Sequence, residues 1–136
     1  MARRYRDLRV FQQADAFVME IYPLCNDLQG KRHWVLANQL SRSSLSVATN
    51  IVEGSARSTQ ADYLHFLHIA LGSASESSYL LSVVRRTVAV DVSTPEQNCD
   101  LLVRGLQKLI DVTKAGPEGR RPKADALKAE DRRPEG

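Results

Sequence analysis

Paired carboxylates at Glu53 and Glu76 are the first residues in this 136-residue chain whose type could support chemistry. Two acids can divide acid and base work when their surroundings hold one protonated and the other ionised. Glu53 lies in Asn50-Ile51-Val52-Glu53-Gly54, with Arg57 one helical turn beyond it. A buried carboxylate persists only when it is paired or hydrogen-bonded. The favoured reading is therefore structural, with Asn50, Glu53, Arg57 and Glu76 tying a helix corner to a neighbour. Asp62, His65 and His68 step by three and offer at most half a metal site. Bundle di-metal centres use two Glu-x-x-His motifs, and the sequence has none, so surface or interface histidines are expected. The many serines come without a G-x-S-x-G elbow or a glycine-rich phosphate loop. No catalytic, cofactor-binding or metal-binding group, and no small-molecule substrate, is predicted.

The arginines are the other candidates. Arg3, Arg4, Arg6 and Arg9 cluster at the start, and with Arg42 they could contact the phosphates of RNA or DNA, a kind of binding that weakens steeply with salt. A net charge of +3 is mild for a dedicated nucleic-acid binder, and a solvated charged surface is the competing reading. Cys25 and Cys99 make neither a disulfide framework nor a C-x-x-C pattern, and in a reducing compartment both read as small buried hydrophobes. In an up-down bundle they would share a pole, so a bridge is the alternative. No apolar run approaches the roughly 20 residues of a membrane span. The basic N-terminus lacks an apolar h-region, which predicts a cytoplasmic protein.

These residues need helices to position them. Helix one is expected over about 7–28, with Val10, Phe11, Ala14, Phe17, Val18, Ile21, Leu24, Cys25 and Leu28 on one face, a possible kink at Pro23, and a stop at Asn26 to Gly30. Helix two, about 33–53, carries two apolar stripes. One is Leu36, Leu40, Val47 and Ile51; the other is Trp34, Ala37, Leu45, Ala48 and Val52. Together they exceed what one-sided packing needs, so one stripe wants another partner. Gly54 is expected to end the helix in the left-handed conformation. Helix three, about 59–88, begins at a Thr59 cap with Asp62 in its first turn. Its seam is Leu67, Ala70, Ala74, Ser77, Leu81, Val84 and Val88, while Ile69, Gly72, Glu76 and Leu80 lie off it. The β-branched run Thr87 to Val92 reads as a frayed end. Helix four, about 95–114, is expected to start from a Thr94 cap with Pro95 first, and to pack through Cys99, Leu102, Leu106 and Leu109.

Four helices with short links predict an all-α, antiparallel up-down four-helix bundle over residues 1–115. Residues 116–136 hold one large aliphatic side chain, Leu127, among Pro, Gly and charge, and are expected to be a disordered C-terminal tail.

One stretch also carries a resemblance. Asn50-Ile51-x-Glu53-Gly54 and Arg57 are followed by Tyr63-x-x-Phe66-Leu67-x-Ile69-Ala70-x-Gly72-Ser73-x-x-Glu76. With Tyr5-Arg6-Asp7-Leu8-x-Val10 and Gln39-Leu40-x-Arg42, they resemble the bacterial four-helix-bundle proteins first noticed inside intervening sequences of 23S ribosomal RNA genes. The resemblance covers about residues 5–112. It implies a homo-oligomeric ring of five subunits with no established catalysis. A more distant relative, the accessory protein of diversity-generating retroelements, implies binding of nucleic acid. The family pattern has paired basic residues where this chain has Arg42-Ser43. The signature residues are thus expected to serve folding and a subunit interface.

Overall fold

The computed structural model describes residues 3–116. After a single 3-10 turn at Tyr5–Asp7 come four helices: α1 (Arg9–Gly30), α2 (Trp34–Ser55), α3 (Gln60–Thr87) and α4 (Ser93–Ala115). They form an antiparallel up-down bundle in which each helix packs on its neighbours in the chain and α1 closes on α4. The α2–α3 contact is the most extensive and the α1–α4 contact the least. Fully buried Phe17, Ile21, Leu28, Leu40, Val47, Ile51, Leu67, Leu81, Leu102, Leu106 and Ile110 fill the middle. Each contributes about 1.5–3 kcal/mol by leaving water. The whole predicted α3 seam, from Leu67 to Val88, is buried.

The helix ends differ from expectation in instructive ways. Helix α1 runs unbroken through Pro23 to Gly30. The left-handed residue that stops it is Arg32, at φ 66°, and not a glycine. His33 N–H donates to the Leu28 carbonyl at 2.8 Å and Arg32 N–H to that of Gln29 at 2.9 Å, the paired bonds of a Schellman cap. Thr59 caps α3 as predicted, its hydroxyl accepting from Asp62 N–H at 3.1 Å. Helix α4 starts earlier than predicted and is not capped by Thr94. The Asp91 carboxylate accepts from both the Ser93 N–H (2.9 Å) and the Ser93 hydroxyl (2.7 Å), a local turn that pre-empts the threonine. Pro95 still falls in the first turn, where a missing N–H costs no helical bond.

Two further corrections concern packing. The Thr87–Val92 stretch is no frayed end: Val88 and Val92 are buried and plug the pole of the core. On α4 the last core position belongs to Ile110, while Leu109 is only half-buried. Of the predicted tail, Gly116 alone is described; residues 117–136 lie outside the described residues.

Candidate functional site

The α2–α3 corner is built on a close approach. Gly54 was expected to terminate α2; instead it lies inside the helix, which continues to Ser55. A Cβ at Gly54 would stand 2.9 Å from the Phe66 Cβ and 3.3 Å from Tyr63 Cδ1. Its missing side chain, and not a left-handed backbone, is what the fold uses. Buried Tyr63 and half-buried Phe66 of α3 press against that gap, and each carries an arginine on its ring. The Arg3 guanidinium sits 3.8 Å from the Tyr63 centroid and that of Arg57 sits 4.7 Å from the Phe66 centroid. Arg3 is fixed further by its N–H, which donates to the Ser55 carbonyl at 3.1 Å. Burial raises the Tyr63 phenol above its ordinary pKa, and the Arg3 charge pulls against that rise. Arg57 also lies 3.8 Å from Glu53, but both are well exposed, so the pair adds little stability.

Farther along the same helix pair the contact turns polar. Ser43 and Ser77 share a buried hydroxyl–hydroxyl hydrogen bond of 2.7 Å, and Ser46 and Ser73 share a second of 2.7 Å. Ser77 also donates to the Ser73 carbonyl, and the Asn50 amide donates to the Ser46 carbonyl at 2.8 Å and to its hydroxyl at 3.0 Å. Above these pairs lies an open polar hollow of about 420 Å³, lined by Gln39, Arg42, Ser43, Ser46, Ser73 and Glu76. Small residues allow the approach, and paired hydroxyls keep it from burying unsatisfied groups.

The expected four-membered network is therefore divided. Glu53 meets Arg57 at the corner, and Asn50 turns to Ser46. Glu76 stands in the hollow, ten residues beyond Phe66 and so about 15 Å farther along α3. The two glutamates are not a catalytic pair. Asp62, His65 and His68 are all exposed, and among the described residues no three His, Cys, Asp or Glu side chains could hold a metal ion. Gly72 is exposed with open space where a Cβ would be, and Ile69 is 38% exposed beside it. Three of the candidate phosphate contacts have partners within the chain. Arg3 is folded onto Tyr63, Arg4 lies 3.6 Å from Asp7, and Arg6 lies 5.1 Å from the Tyr5 ring. Arg9 and Arg42 are exposed, Arg42 being 13 residues up α2 from the corner, about 20 Å away.

Cys25 and Cys99 are both free and buried, and Cys99 Sγ donates to the Ala74 carbonyl at 3.2 Å. Burial pushes the Cys25 thiol up to about 11. Burial, helped by the Asp100 charge, pushes Cys99 up to about 12. The serines showed no catalytic motif in the sequence, and their pairing was not foreseen from it. The signal was present as Ser43 and Ser46 on one helix and Ser73 and Ser77 on the next, each pair within one turn.

This arrangement spans the region matched by a family model. The 23S rRNA-intervening sequence protein family matches residues 6–111, from the opening 3-10 turn to the last turns of α4. The chain belongs to that family. Among solved structures it is similar to a protein of unknown function from the S23 ribosomal protein family of Bacteroides thetaiotaomicron. The two share 26% identity with a TM-score of 0.71, over 74% of this chain and 97% of that one. No curated protein matches. Neither match names an enzymatic activity. In this member of the family the Asn50–Glu76 signature splits into three parts: a glycine-packed corner, a hydroxyl-paired seam, and an outward face of Ile69, Gly72 and Glu76.

Proposed function

We propose that this family member is a non-enzymatic subunit that assembles with copies of itself into a closed ring, five being the number implied by the family resemblance. The observation that carries this reading is what α2 leaves uncovered: of its second predicted stripe Ala37 is fully buried and Ala48 and Val52 are half-buried, but Trp34 and Leu45 stay exposed. The bundle leaves Trp34 57% and Leu45 41% exposed; Met19 and Tyr22 of the neighbouring α1 are exposed too, and Tyr22 lines a hollow with Asn38 and Ser41 of α2. Exposed Ile69 and Tyr79 belong to α3, which flanks α2 opposite α1. Aromatic residues and Met are enriched at subunit interfaces. Two unlike apolar faces favour a head-to-tail contact, which closes into a ring when the rotation permits; a twofold dimer would use one face twice.

Sedimentation of two variants tests this directly. Leu45→Asp and Ile69→Asp should each yield single subunits, because each spoils one face. An equimolar mixture should yield heterodimers through the two intact faces. A wild-type assembly that survives both substitutions, or a mixture that stays monomeric, contradicts the proposal.

Nucleic-acid binding is the second reading, and it rests on the exposed Arg6 and Arg9, which a ring would repeat in every copy. Arg3 and Arg4 are already engaged within the chain, so the reading has less behind it. A salt titration with RNA and DNA distinguishes it, since phosphate-driven binding must fall steeply with ionic strength. No helix of the described residues is long and apolar enough to cross a membrane, and we place the assembly in the cytoplasm.

A further inference from the structure

The loosest seam of the bundle, between α1 and α4, opens into an apolar groove of about 350 Å³. Leu8, Val10, Leu109 and Val112 form its apolar walls and Gly105 its floor, with Arg9 and Lys108 on the rim. The groove has a structural cause. At Gly105 the two helices approach so closely that a Cβ would stand 3.0 Å from the Gln13 amide oxygen and 3.2 Å from Val10 Cγ1. The helix pair is pinned there, and Leu109, one turn on, is left half-buried where the sequence pattern expected a core residue. A second hollow shares Leu8 and Leu109 with the first, and Gly116 is on its wall. The described chain thus leaves α4 at the mouth of the groove.

We propose that the groove is the docking site for the chain's own segment Asp125–Asp131, with Leu127 as its apolar anchor. Three observations point to this occupant. Leu127 is the one large aliphatic residue after Gly116, and it is framed by Asp125, Ala126, Ala129, Glu130 and Asp131. That segment carries a net charge of −2, counting Lys128, whereas the basic residues beyond Gly116 otherwise lie at Arg120, Arg121 and Lys123 or at Arg132 and Arg133. Acidic charge around the anchor therefore matches Arg9 and Lys108 on the rim. The reach is also sufficient. Leu127 lies eleven positions beyond Gly116, up to about 36 Å when extended, against about 10 Å from Gly116 back to Leu109 along α4. A tether this short holds the segment at a local concentration of about millimolar, so a contact too weak between separate molecules is populated within one.

The test uses the full chain with Ala129→Cys carrying a nitroxide spin label. The native thiols are buried, so the label goes to the new cysteine. In methyl spectra of the deuterated protein, Leu8, Val10, Leu109 and Val112 should lose most of their intensity. Val35 and Val92, at the opposite pole of the bundle, should keep theirs. Adding Leu127→Asp to the labelled chain should restore the groove signals. Broadening that is uniform, or that persists with Leu127→Asp, overturns the proposal. So does broadening that is equally strong when label and isotope are on different chains, since the occupant is then a second copy's segment.

Discussion

Substituting Gly54→Ala isolates the feature on which the α2–α3 corner depends. The added methyl would meet the Phe66 Cβ at 2.9 Å, a contact between two side-chain roots that no rotamer change relieves. Reaching an ordinary separation of about 3.6 Å requires the helices to part by roughly 0.7 Å, in an interface packed like a crystal. Overpacking of this kind costs about 1–3 kcal/mol. Against it, alanine gains about 1 kcal/mol over glycine within a helix. The net expectation is a loss of up to about 2 kcal/mol, which for a domain of this size lowers Tm by up to roughly 8 °C. Thermal unfolding followed by circular dichroism at fixed protein concentration reads it. Gly72→Ala is the matched control, because nothing lies within 4 Å of its added methyl, and only the helix gain applies. Under conditions that keep the chain monomeric, that variant should be more stable by about 0.5–1 kcal/mol. A Gly54→Ala protein at least as stable as wild type would refute the close-packing account.

The remaining predictions concern the seam, the first helix stop and the thiols. Ser43→Ala should cost about 1 kcal/mol by urea unfolding, and Ser43→Ala/Ser77→Ala less than the sum of the single changes, because each hydroxyl's role in the shared bond disappears with its partner. Arg32→Gly should stabilise by about 0.5–1 kcal/mol, since Arg32 holds φ 66° at a position where a side chain is strained; unchanged or lower stability counts against the strain. Cys25 and Cys99 should react with a thiol reagent at pH 8 only as fast as the chain unfolds, and prompt modification of the native protein contradicts their burial. Their raised pKa also fixes a sign. Above the ordinary thiol value of 9.0 the unfolded chain ionises first and binds fewer protons, so stability should fall as pH rises from about 9 towards 11.

Much of the fold was legible because the α3 seam and the α1 face repeat at helical spacing over many residues, and core burial follows that period. The helix ends were less legible. Gly30 and Gly54 look like stops because glycine tolerates left-handed backbone, yet Arg32 takes that conformation and Gly54 serves close packing. Sequence spacing cannot distinguish a glycine needed for its φ from one needed for its absent Cβ. Thr94 failed as a cap because Asp91, two residues before Ser93, captured the helix start first. The site was legible as a set of residues but not as an arrangement. Asn50, Glu53, Arg57 and Glu76 lie within one signature, but whether a 15 Å helical offset separates Glu76 from the others depends on where α2 crosses α3. That crossing is set by Gly54 against Phe66 and by the serine pairs, which are contacts between residues distant in sequence.

Whether exposed Trp34 and Leu45 of α2 find their partner in another copy is decided by the mass of the native particle. Light scattering across a concentration series, supported by native mass spectrometry, measures it without labels or substitutions. A closed five-subunit ring of this 15.2 kDa chain predicts about 76 kDa, constant over the series and reached without larger species. A particle of one chain's mass at tens of micromolar, or a mass that climbs without limit as concentration rises, would contradict the ring.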